Sequence, residues 1–135
     1  MANSNLLSKL KYRPEYTVLV MNAPNDYLVN LDGILYSTAP ASLSGKADMV
    51  HIFVYNKADV DRFVPEVINY LKYDGLLWLS YAKGTSKIST DVNRDKGWET
   101  LKNLGYEGIA LIAIDDTWAA MRFRPKEKVK SVRNT

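Results

Sequence analysis

The chain has 135 residues, 47% of them apolar and 24% charged, a size and balance that suit one globular domain with a single core and exclude wholesale disorder and fibrous classes. It contains no cysteine, which removes disulfides, thiolate metal sites and cysteine nucleophiles together and fits a reducing, cytoplasmic location. The net charge of +3 is unevenly placed: twelve bases stand against fourteen acids up to Ala120, whereas Arg122, Arg124, Lys126, Lys128, Lys130 and Arg133 stand against Glu127 alone. The body is therefore slightly acidic, and the basic residues 126–135 read as a solvated, disordered tail rather than as a nucleic-acid site. No apolar run approaches the roughly 18 residues that span a bilayer. The opening Met-Ala-Asn-Ser-Asn lacks a cationic segment leading into an apolar one, so neither a signal peptide nor a membrane span is expected.

Along the chain, Thr17 to Met21 is a short β-branched apolar run ending at Asn22-Ala-Pro24, which suits a first strand buried on both faces. Asp26 to Leu31 predicts a helix of barely two turns stopped by Asp32-Gly33, and Ile34 to Thr38 a weaker second strand. Asp48 to Tyr55 is a third, central strand. Val60, Phe63, Val64, Val67, Ile68 and Leu71 recur at helical spacing after a capping Asn56, predicting a helix over 57–73. Tyr73-Asp-Gly75 then turns into a fourth strand, Leu76 to Tyr81, which makes a parallel crossover unit. After the loop 82–89 a second helix is expected from a Thr90 or Asp91 cap, burying Trp98, Leu101 and Leu104 and stopping at Gly105. Tyr106 to Ile114 and Thr117 to Phe123 are joined only by Asp115-Asp116, too short for a crossover, so they form an antiparallel hairpin. Pro125 is expected to end a single α/β domain over 1–125.

The late crossover with Leu-Lys-Tyr-Asp-Gly-Leu-Leu-Trp-Leu, followed by a helix and a closing hairpin, resembles the second half of a Rossmann-type methyltransferase. The front half departs from it. Where such an enzyme has a glycine-rich loop after its first strand and an acid after its second, this chain has Asn22-Ala-Pro-Asn-Asp-Tyr27 and Thr38-Ala-Pro40. The chain also resembles a family of small bacterial proteins of unknown function, in Val18 to Pro24, Thr90 to Asp95, Asp115 to Trp118 and Arg122-Phe123. That resemblance implies a three-layer, Rossmann-like, mostly parallel sheet closed by an antiparallel hairpin, a reduced methyltransferase-like topology with no assigned activity.

In open α/β sheets ligands bind beyond the carboxyl ends of the strands, where strand order reverses. That crevice would be walled by Asn22 and Pro24, by Tyr55 and Asn56, and by Tyr81 and Lys83. Lys83, Thr85, Ser86 and Lys87 would lead to the amino end of the second helix, a place for a small anionic ligand; an exposed polar loop explains the same residues. Asp91, Arg94 and Asp95 suit a general acid or base, but capping and ion pairing account for them as well; Asp115-Asp116-Thr117-Trp118 reads as an Asp-rich turn with a packed indole, and Arg122 on an apolar strand is expected to reach Asp91, Asp95 or Asp116. The lone His51 reads as a satisfied core residue. No cofactor motif, nucleophile elbow or metal spacing occurs, and methyl transfer is disfavoured. The expectation is a binding or regulatory module without cofactor, or else an enzyme or receptor for an anionic metabolite; a homodimer through an exposed sheet edge is compatible with either.

Overall fold

Runs of apolar residues that alternate poorly between faces belong in a sheet covered on both sides. The computed structural model, which describes residues 2–133 with side chains to residue 129, builds such a sheet from β1 (Val18–Met21), β2 (Ala47–Phe53), β3 (Leu71–Ala82), β4 (Tyr106–Ala113) and β5 (Trp118–Pro125). The order is β1-β2-β3-β5-β4. β1 to β3 run parallel, while β5 pairs antiparallel with both β3 and β4. One face is covered by α3 (Lys57–Val67) and α4 (Glu99–Asn103), through Val60, Val64, Val67 and Leu101. The other is covered by α1 (Ser4–Lys9) and α2 (Asn25–Leu28), through Leu6, Leu7 and Tyr27, with Leu10 just after α1. This is the three-layer, methyltransferase-like Rossmann arrangement expected from the sequence.

Local chemistry revises several elements. α1 has no counterpart in the sequence expectations, because three leucines in and just after a six-residue helix make a weak pattern; Asn3 caps it by accepting from Leu6 N at 3.1 Å, and Trp78 Nε1 anchors its end by donating to Leu10 O at 3.0 Å. The second strand shrinks to a bridge, with Ser37 N donating to Val18 O and Val20 N donating to Ser37 O, both at 2.9 Å. Nothing covers its far side, since Leu35 is 91% exposed. α3 ends at Val67, a single 3-10 turn follows over Ile68–Tyr70, and β3 already begins at Leu71, opposite Ala47.

The expected helix from residue 90 is mostly loop. Thr90 Oγ1 accepts from Val92 N at 3.1 Å, Asn93 Oδ1 accepts from Asp95 N and Lys96 N at 2.8 and 2.9 Å, and Trp98 Nε1 donates to Asn93 O at 2.8 Å. These side-chain bonds compete with helical ones. Gly97 completes the loop with φ +101, where a side chain would press on Val92. Only α4 remains helical, and Leu104 is left exposed. At the other extreme, Pro125 does not end the fold. α5 (Lys126–Arg133) follows it, with Val129 buried and Glu127 accepting from the Tyr73 hydroxyl, so the start of the expected tail is ordered onto the body.

His51 is a core residue, as its apolar strand suggests. One ring nitrogen lies 3.1 Å from the Tyr27 hydroxyl and the other 2.6 Å from Ser80 Oγ, which satisfies both. Burial pushes its pKa down to about 3, so the folded protein holds it neutral while the unfolded chain takes up a proton near pH 6.5. The resulting stability is complete above about pH 6.5 and is lost as pH falls toward 3, at up to about 1.4 kcal/mol per pH unit. Thermal unfolding of the wild type should therefore fall more steeply between pH 7 and 4 than that of His51→Gln, and parallel curves would refute a neutral, buried His51.

Candidate functional site

β1 and β2 lie side by side, so the expected crevice has the right walls, but its two sides are tied elsewhere. Asn22 leaves β1 in the left-handed region (φ 61), exposed, and Pro24 precedes α2 without a side-chain cap. Across from them, Asn56 Oδ1 accepts from Asp59 N at 2.8 Å as the cap of α3, and Asp59 Oδ2 accepts from Tyr55 N at 2.8 Å. Beneath the strand ends, on the face covered by α1 and α2, lies a series of rings. Tyr27, 1% exposed, sits with its ring centroid 5.0 Å from His51 and 4.9 Å from Phe53. Trp118 lies edge-on to Phe53 at 5.1 Å and to Tyr55 at 5.2 Å. Burial raises the pKa of the Tyr27 hydroxyl, and burial together with the Asp59 charge raises that of Tyr55, so both rings remain neutral packing elements.

A second concavity, about 490 Å³, lies beyond the carboxyl end of β3. Tyr81 forms its wall, 5% exposed and edge-on to Trp98 at 5.7 Å. Lys83 and Arg94 flank it, and Leu111 to Ala113 of the hairpin close the far side. Lys83 is fixed through its backbone, which donates to Thr117 O at 2.8 Å. Arg94 pairs with Asp95 at 3.8 Å, both side chains being more than two-thirds exposed, an arrangement that holds little energy. Tyr81 and Lys83 thus line a concavity apart from Asn22, Pro24, Tyr55 and Asn56, with which they were expected to share one crevice, and Asn93, Arg94 and the hairpin join them through a loop whose closure sequence spacing does not encode.

The other candidates disperse. Ser86 closes its own turn, its N–H on Lys83 O and its Oγ accepting from Ile88 N at 3.3 Å, while Thr85 and Lys87 are exposed. The helix amino end they were to face is absent. Asp91 caps a different helix from the one expected, accepting from Lys57 N at 2.7 Å. Asp115 rather than Asp116 organises the hairpin turn, accepting from Thr117 N and Trp118 N, both at 2.8 Å. Arg122 does not reach Asp91, Asp95 or Asp116. The antiparallel register sets it between Trp78 and Ala110, so that it opens toward the amino ends of the parallel strands, beside Tyr16 and Asp74. Among the described residues no group of three or more His, Asp or Glu is placed to hold a metal ion, and no helix is long and apolar enough to cross a membrane.

The sheet order and its closing hairpin define a methyltransferase-like Rossmann fold, and solved structures bear this out. The chain is similar to the ribosomal protein L11 methylase of Lactobacillus delbrueckii subsp. bulgaricus, at TM-score 0.55 and 11% identity over 91% of this chain and 76% of that one. TehB from Haemophilus influenzae matches at TM-score 0.53 and 12% identity, over 90% and 61%. Phosphoethanolamine N-methyltransferase 2 of Haemonchus contortus, solved with S-adenosylhomocysteine, matches at TM-score 0.52 and 13% identity, over 90% of this chain but 36% of that one. At such identities the likeness is one of fold. No family model matches the chain, and neither does any curated protein.

Asp91 holds a backbone N–H of α3, whereas no hydrogen bond or ion pair engages Asp116 among the described residues, which separates the two experimentally. Asp91→Ala should destabilise the protein by about 0.5–1 kcal/mol through the start of α3, whereas Asp116→Ala should leave the denaturation midpoint unchanged. Equal effects would contradict this division.

Proposed function

We propose that the chain is a non-catalytic binding or regulatory module on a methyltransferase-like scaffold, and that it does not take S-adenosylmethionine. The reading rests on Tyr27, whose buried ring and its neighbours Phe53 and Trp118 occupy one face of the strand ends that such a cofactor would approach. Cofactor binding in this fold needs bare backbone and N–H donors after the first strand and an acid after the second. Asn22, Ala23 and Pro24 each carry a side chain, proline has no N–H to offer, and Thr38 stands where the acid would be. The residues present do not fit the group. On the same reading the chain belongs with the small bacterial proteins of unknown function that share Val18 to Pro24, Thr90 to Asp95, Asp115 to Trp118 and Arg122-Phe123, and it works in the cytoplasm. Calorimetric titration with S-adenosylmethionine should give no saturable heat, and tight one-site binding would overturn the proposal.

A second reading, an enzyme or receptor for a small anionic metabolite, is favoured by the groove beside Tyr81, where Lys83 and Arg94 flank a concavity without a firmly held acid. Thermal-shift screening with nucleotides, sugar phosphates and carboxylates should then yield a stabilising compound, since a ligand at 100 times its Kd adds about 2.7 kcal/mol. Its effect should vanish in Lys83→Ala and Arg94→Ala. A screen without a stabilising compound would end this reading.

A further inference from the structure

The cavity at the amino ends of the parallel strands lies at the opposite edge of the sheet from both sites above. It has a volume of about 370 Å³, and Arg122, Lys11, Lys72, Asp48, Asp74 and Tyr16 contribute to its walls, a size within the range that small ligands occupy. Its acids are already engaged. Asp48 accepts from Lys72 Nζ at 2.8 Å through one oxygen and from Thr17 N at 2.8 Å through the other. Asp74 takes Arg124 in a two-pronged bond, Nε at 2.8 Å and Nη2 at 3.0 Å. Lys72 and Arg124 hold the carboxylates below the usual range, which marks both as ionised and committed.

Two cations are left over. Lys11 makes no ion pair among the described residues, and it stands just past the end of α1 with φ 64, where glycine is the usual occupant. Arg122 sits in the middle of the sheet, and its Nε is buried without a hydrogen-bond partner. A buried guanidinium donor left unpaired is costly, and an interior charge is ordinarily matched by an acceptor. Burial and the Arg124 charge lower the Arg122 pKa by more than Asp74 and Tyr16 raise it, so the site as it stands disfavours the charge that arginine always carries. An anion seated there would correct both defects at once, and an arginine fork with a nearby ammonium matches the oxygens of phosphate or carboxylate.

We propose that this cavity is an oxyanion-binding site, in which Arg122 and Lys11 receive the phosphate or carboxylate group of a small ligand. The site is independent of the groove beside Lys83, and so is its test. In 15N-labelled protein carrying Lys83→Ala and Arg94→Ala, the Arg122 Nε–H resonance, assigned by its loss in Arg122→Gln, should shift saturably on titration with inorganic phosphate or with acetate, but not with chloride at equal ionic strength. A response to phosphate alone identifies phosphorylated ligands and a response to acetate alone identifies carboxylates. Lys11→Ala, on the surface and away from the core, should weaken the binding at least tenfold without changing the fold. Absence of a saturable shift with both anions, or an unchanged affinity in Lys11→Ala, would overturn the proposal.

Discussion

The bond series Tyr27 hydroxyl, His51, Ser80 hydroxyl dictates much of the architecture of this molecule. A neutral imidazole in a water-free interior needs one acceptor and one donor, and an unmet partner there costs about 1–3 kcal/mol. β3 supplies Ser80 by parallel register, one residue beyond the position directly opposite Ile52. The segment after β1 supplies the other partner, so α2 folds under the sheet and brings the Tyr27 ring with it. Phe53 stacks on His51 at 4.7 Å and Trp118 closes on Phe53. A polar requirement in the core thereby decides the shape of the strand ends, where an α/β fold ordinarily places its ligand.

Charge is arranged differently at the two ends of the sheet. Toward the carboxyl ends Lys83 is half-buried and held by its backbone, and Arg94 is solvated and only weakly paired, so the cost of both charges is small. Toward the amino ends the pairs Asp48–Lys72 and Asp74–Arg124 are partly buried and short. They fasten the bulged start of β3, where Asp74 adopts φ 59 and Gly75 lies so close to Asp48 O that a side chain would not fit. Each pair engages its acid directly, so that Arg122 feels the Asp74 charge only at a distance while its own Nε has no acceptor. The imbalance is a property of register. Arg122 opposes Trp78 across the β3–β5 ladder, and shifting it to the other face would put Met121 and Phe123 in the wrong layer.

The parts of the fold that were legible in the sequence are those where hydrophobic period and length agree. β1, β2 and the core of β3 are apolar runs of strand length, α3 has a clear stripe behind Asn56, and the two-residue link at Asp115-Asp116 permits only a hairpin. Elements failed where bonds from side chains to backbone outweighed propensity. Asn93 alone accepts two N–H groups and takes the Trp98 indole on its carbonyl, and that suffices to turn a helical pattern into loop. Site residues were legible one at a time but not as a set. Lys83 and Arg94 meet only because that loop folds against the hairpin. Arg122 lies away from Asp91, Asp95 and Asp116 because β5 runs antiparallel to β3, which carries residue 122 to the amino ends of the parallel strands while Asp116 stays in the turn at their carboxyl ends.

The two edges of the sheet are protected against pairing in different ways. β1 would present an open ladder, but Ser37 occupies it with two hydrogen bonds, a remnant of a strand sufficient to block pairing at its centre. β4 is the greater hazard, since Gly108 to Ile114 is uncharged and Ile109 and Leu111 are exposed. Its register breaks between Gly108 and Ala110, which bends the strand at the place where a regular partner would have to continue. α5 then leaves Pro125 with Lys126 N bound to Gly105 O at 2.8 Å, bringing the basic segment to the start of the same strand. A flat apolar edge is a template for any similar strand, whereas the break between Gly108 and Ala110 and the lysines of the segment after Pro125 work against regular pairing along β4, so the irregularity of this edge offsets its hydrophobicity.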